Sequence, residues 1–138
     1  MFGGKIITRN GHTAELFEWT FEGLRCSAVY KDNVGFFCGY IEVPKQLCHK
    51  TETWFENEID VHGGVTFYDK PAPFYDDDVR VIGFDCGHAC DSAHPSSEYG
   101  KRYPDVNYGT FRDLNYVRGE CEKAAKQLNE LAKEAGDV

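Results

Sequence analysis

The sequence predicts an α+β fold, an antiparallel β-sheet meander with one long C-terminal α-helix packed on it. Three observations carry that expectation. Residues 1–43 alternate short apolar stretches with turn dipeptides. Residues 111–135 repeat apolar side chains at spacings of three and four. The 138-residue length fits a single domain.

Lys5 to Thr8 reads as the first strand, closed by Asn10-Gly11, a dipeptide suited to the positive φ angles of a tight hairpin turn. Glu15 to Phe21 follows, and Glu22-Gly23 turns the chain into Leu24 to Tyr30. Lys31-Asp32-Asn33 turns it again into Phe36 to Val43, which Pro44 ends. Lys45 to Lys50 has the length of one helical turn. Residues 58–91 read as strands carrying a His/Asp patch: Glu58 to His62 and Val65 to Tyr68 are β-like around Gly63-Gly64, and Val79 to Phe84 is apolar enough to be central. Lys70 to Asp78, with its three consecutive aspartates, reads as a solvated loop, and residues 92–109 as a long one. In the C-terminal helix Leu114, Val117, Cys121, Ala124, Leu128 and Leu131 form one apolar face, Thr110 is the expected cap, and Gly136 the stop.

Charge narrows the function classes. Fifteen Lys and Arg against 23 Asp and Glu give −8, so no general field attracts a nucleic-acid duplex. No apolar run approaches the ~18 residues of a membrane span, and the N-terminus lacks the basic-then-apolar pattern of a secretory signal. These features lead us to expect a cytoplasmic protein without a membrane partner. Six cysteines without a C-x-x-C pair then read as reduced; Cys26, Cys38 and Cys121 fall in apolar patterns as small core residues.

Two glycine-flanked patches concentrate the chemistry: Asp60-Val61-His62-Gly63-Gly64-Val65-Thr66 and Gly83-Phe84-Asp85-Cys86-Gly87-His88-Ala89-Cys90-Asp91. Together with Gly39-Tyr40-Ile41-Glu42-Val43-Pro44-Lys45 and Asn115-Tyr116-Val117, these stretches resemble a family of short phage, prophage and bacterial proteins with a VHGG(V/L)T and GFDC(G/A)H pattern, over residues 24–128. Cys48 to Asn57 departs from that pattern, which often has a further Pro and Tyr there. The resemblance assigns no catalytic roles. It implies a cytosolic, accessory, phage-associated protein, placed in the host cytoplasm if phage-encoded.

Three chemistries fit the patches. In the first, Gly63, Gly64 and Gly87 let backbone N–H groups approach a ligand, while His62, Thr66, Asp85, His88 and Asp91 supply polar contacts. Tyr40, Trp54, Phe84 and Tyr116 are candidate stacking surfaces, and Arg112 and Arg118 candidate charges. In the second, His62, Asp85, His88 and Asp91 hold a metal, or Cys86, His88 and Cys90 do so with His62. In the third, a histidine acts as general base with an aspartate orienting it; no G-x-S-x-G elbow is present, and a cysteine nucleophile beside His88 is a further option. A structural alternative stands beside all three, in which these side chains only satisfy one another and lock a bend.

The leading expectation is a cofactor-free counter-defence protein. It would bind and sequester a nucleotide-derived immune signal, of cyclic oligonucleotide or cyclic ADP-ribose type, as a homo-oligomer. The alternatives are a small metal-assisted or His/Asp hydrolase acting on a nucleotide, and an inhibitor docking a host enzyme through the acidic surface.

Overall fold

The computed structural model describes residues 1–9, 11–69, 79–105, 107 and 109–136. The expected α+β architecture is present: six strands form one antiparallel sheet, and a long C-terminal helix lies on it. The strands are β1 (Lys5–Arg9), β2 (His12–Phe21), β3 (Leu24–Lys31), β4 (Phe36–Glu42), β5 (Phe67–Asp69) and β6 (Val81–Asp85). Their order across the sheet is β1-β2-β3-β4-β6-β5. The helices are α1 (Glu52–Glu58), α2 (Glu98–Arg102) and α3 (Leu114–Ala135), with a 3-10 turn at Lys45–Leu47.

The first four strands form a meander because each turn is short and the apolar residues alternate. Arg9 pairs with His12 and Phe21 with Leu24, so both hairpins have two-residue loops. In the second loop Glu22 and Gly23 take φ of 49° and 83°, the left-handed pair that matches strand twist. Asn10 and Lys70 to Asp78, including the three aspartates, lie outside the described residues.

Alternation gives the sheet two apolar faces. Cys26, Ala28, Tyr30, Phe37, Ile41, Ile82 and Phe84 face α3, whose Val117, Cys121, Ala124, Ala125 and Leu128 close over them. On the other face, Ala14, Leu16, Val29, Cys38, Tyr40 and Val81 form a second cluster. The main core is aromatic at one end, where Phe2 places its ring 4.7 Å from Tyr30 and 5.4 Å from Phe37. Helix α3 is capped by Asp113, whose carboxylate accepts from the Tyr116 N–H at 2.9 Å, rather than by Thr110. Thr110 instead pairs its backbone with residues 90–92. No helix among the described residues is long and apolar enough to cross a membrane.

The middle of the chain departs from expectation in two ways. Residues 51–58 contain α1, whose N-cap is Thr51, and the described part of 92–109 contains α2, capped by Ser97. Glu58 to His62 is not a strand. Ile59, Val61 and Val65 are buried, so the alternation is real, but β5 occupies the place beside β6. Side chains of α3 bond the segment instead: Gln127 accepts from Asp60 N–H and donates to the Asp60 carbonyl, both at 2.8 Å, and Glu120 accepts from His62 N–H at 2.8 Å.

Candidate functional site

Strand β6 ends at Asp85, and the chain then turns, the Asp91 N–H bonding the His88 carbonyl at 2.9 Å. This places Asp91, with a side chain only 2% exposed, at the meeting point of three segments. Its Oδ1 accepts from Arg112 Nε at 2.9 Å, and its Oδ2 accepts from His62 Nε2 at 2.8 Å and from the His88 backbone N–H at 3.0 Å. Burial opposes ionisation of Asp91. The hydrogen bonds from His62, Arg112 and the His88 N–H outweigh it and hold the carboxyl below its usual range.

An ionised Asp91 fixes the His62 tautomer. The ring nitrogen facing it, Nε2, carries a proton, which leaves Nδ1 of the neutral imidazole to accept from the Tyr116 hydroxyl 2.8 Å away. Burial and the nearby Glu120 carboxylate push the Tyr116 phenol up, so it remains a donor. Arg112 lies over the Tyr116 ring at 5.0 Å. A continuous chain therefore runs from Tyr116 through His62 and Asp91 to Arg112.

A more exposed group adjoins it. Asp85 Oδ1 accepts from the Gly87 N–H at 3.0 Å and lies 3.5 Å from His88 Nε2, while its Oδ2 accepts from the Thr66 hydroxyl at 3.2 Å. The Asp85 and His88 side chains are 32% and 36% exposed. The His88 and His62 rings stand 5.8 Å apart. Gly63 makes that approach possible: a Cβ there would sit 2.1 Å from His88 Nε2, and its φ of +69° belongs to the left-handed region. A Cβ on Gly64 would meet nothing within 4 Å, and the Gly64 N–H closes a turn onto the Val61 carbonyl. His88 Nε2 is buried and has no hydrogen-bond partner among the described residues.

His62, Gly63, Thr66, Asp85, Gly87, His88, Asp91, Arg112 and Tyr116 are thus neighbours. Several other candidates are elsewhere. Tyr40 lies on the sheet face away from α3, edge-on to Phe67. Phe84 is 2% exposed in the core beneath α3 and has no face to offer a ligand. Trp54 packs its ring on Phe55 and under Lys50, and Arg118 covers Trp19.

The metal alternatives do not fit this geometry. Among the described residues no three His, Cys, Asp or Glu side chains are grouped to hold an ion. His62 has both ring nitrogens engaged, and both Asp91 oxygens already accept. Cys86 and Cys90 do not share a face with His88, because the strand has ended: Cys86 is buried in the core and Cys90 is exposed. Burial also pushes the Cys86 thiol far up, with Asp91 adding to it, so it is not a thiolate nucleophile.

Three residues that organise the site were not singled out from the sequence. Glu120 and Gln127 hold the segment carrying His62, and Asn107 bonds the Ala93 backbone twice at 2.9 Å. A signal existed for the first two: Tyr116, Glu120 and Gln127 are spaced four and seven apart, a polar stripe beside the apolar one. Asn107 left no comparable pattern. Comparison of the chain with protein-family models, with curated proteins and with solved structures finds no match in any of the three.

Proposed function

We propose that the protein binds and sequesters a small nucleotide-derived ligand at the Asp91 cluster, as a counter-defence protein acting in a bacterial cytoplasm. One observation supports binding above the alternatives: a locked base carries an open rim. The Asp91 side chain is buried, that of His62 is largely covered, and both have their polar atoms bonded, whereas the Asp85 and His88 side chains are about a third exposed and Thr66 is exposed. Arg112 spends only its Nε on Asp91, so its terminal N–H groups remain to donate. Carboxylate, imidazole and guanidinium groups around a glycine-lined backbone suit ribose hydroxyls and phosphate. The ligand class, a cyclic oligonucleotide or a cyclic ADP-ribose type molecule, rests on the resemblance to phage and prophage proteins. The same reading includes self-association, since one helix covers only part of one sheet face.

Isothermal titration with cyclic dinucleotides and ADP-ribose derivatives tests it. Saturable binding is expected, weakened at least tenfold by His88→Ala. Absence of binding to any of them at high micromolar concentration would sink the proposal.

A second reading, hydrolysis, is favoured by the Tyr116–His62–Asp91 chain, which has the connectivity of a proton relay. It predicts product formation that His62→Ala abolishes.

A further inference from the structure

A cavity of about 330 Å³ opens beside the Asp91 cluster. Four separated parts of the chain build it: Val34 and Phe36 at the β3–β4 turn, Gly87 and His88 after β6, Tyr99 on α2, and Asn107. Its walls are held from behind. The two Asn107–Ala93 bonds fix one side, and the His94 N–H donates to the Gly35 carbonyl at 2.9 Å to tie the turn to that side. Phe36 lies on bare backbone, because a Cβ on Gly87 would stand 2.7 Å from its ring. Tyr99 is 40% exposed, and Tyr103 backs its ring at a centroid distance of 4.9 Å.

His88 belongs to both places. Its ring borders Asp85 and Gly63 on one side and lines this cavity on the other. A ligand seated in the cavity is therefore continuous with the polar rim.

We infer that the cavity takes one planar heterocyclic ring of the ligand, with ribose and phosphate lying on the Asp85–His88–Arg112 rim. This rests on the reading of the preceding subsection and deepens it. Two aromatic side chains border a space at the small end of the ~300–1,000 Å³ typical of ligand sites. Every base has a π-face, so aromatic walls recognise a ring without selecting its sequence. The volume suits one base with part of its sugar. A mononucleotide or ADP-ribose type ligand uses this site within one chain, while a cyclic oligonucleotide leaves its further bases outside.

The test compares adenosine 5′-monophosphate with ribose 5-phosphate, which lacks the ring. Wild-type protein, Tyr99→Ala and Tyr99→Phe are titrated, with binding followed by calorimetry and by the Val34 methyl signals in NMR. Tyr99 is on the surface, so its truncation leaves the fold in place. The nucleotide is expected to bind at least tenfold tighter than the sugar phosphate and to shift the Val34 methyls. Tyr99→Ala should weaken the nucleotide about tenfold with little effect on the sugar phosphate, and Tyr99→Phe should restore it. Equal affinity of the two probes, or a nucleotide indifferent to Tyr99→Ala, overturns the ring assignment while leaving the rim as a binding site. If neither probe binds at millimolar concentration, the ring assignment falls, while the reading beneath it stands or falls on the separate titration with cyclic dinucleotides and ADP-ribose derivatives.

Discussion

Two regions of this molecule are ordered by different physics. Strands β1 to β4 are held by ladders, in which each backbone bond is one of many and apolar side chains fill both faces. The described residues of 86–113 have few ladder bonds. Single side chains organise them: Asp91 collects three donors, Asn107 pairs with Ala93, and Ser97 caps α2. Order in the first region is distributed, and in the second it is concentrated in a few polar groups. The candidate site is centred on the second, whose Asp91 and His88 draw His62, Asp85 and Tyr116 to them from neighbouring segments.

The largest expected effect belongs to the first region. Phe37 is 0% exposed and packs against Phe2, Tyr30 and Phe111. Phe37→Ala should cost about 3–5 kcal/mol in urea unfolding, and it should weaken the whole domain in one transition.

Asp91→Ala sharpens the contrast. It leaves the Arg112 guanidinium, His62 and the His88 N–H without their acceptor, and should cost about 3 kcal/mol. The damage should be local. Amide hydrogen exchange should accelerate at His88 and Ser92 more than in β3 and β4. Uniform acceleration would show that the two regions are not ordered separately.

Acid should act through the same residue. A carboxyl whose native pKa is lowered stabilises the fold above its unfolded value, and that contribution is lost as pH falls through the native value. Melting temperature should therefore drop on acidification below about pH 5, and less steeply in Asp91→Asn than in the wild type. Equal slopes would contradict an ionised, hydrogen-bonded Asp91.

The smallest effect is stabilising. Gly119 lies within α3, and a Cβ there meets nothing within 4 Å. Gly119→Ala should add up to ~1 kcal/mol of stability, read as a raised denaturation midpoint, without altering either region.

The same contrast governs what could be read from the sequence. Turn dipeptides and period-two alternation act locally, so the meander was legible, and the periodicity of 114–131 showed α3. The stretch 58–62 misled because its alternating side chains are buried without a strand partner, its backbone being bonded by Gln127 and Glu120, about sixty residues away in sequence. The short helices announce themselves only through Thr51 and Ser97, caps followed by too few apolar residues to show a period. The sequence marked His62, Asp85, His88 and Asp91 as a chemical group, but not the division of labour between them. Burial of Asp91 and exposure of Asp85 are tertiary facts. Tyr40 and Phe84 were candidates because aromatic residues beside glycines suit both a core and a binding surface, and only strand parity and the position of α3 assign them to the interior.

The most direct test of the central claim, that this cluster holds a ligand without transforming it, is native mass spectrometry. The purified protein would be measured before and after incubation with a pool of cyclic nucleotides and ADP-ribose derivatives, then denatured to release what it holds. An intact nucleotide mass retained on the protein and recovered unchanged after denaturation is expected. A cleaved product accumulating in the pool, and lost in His62→Ala, would contradict it and establish turnover in its place.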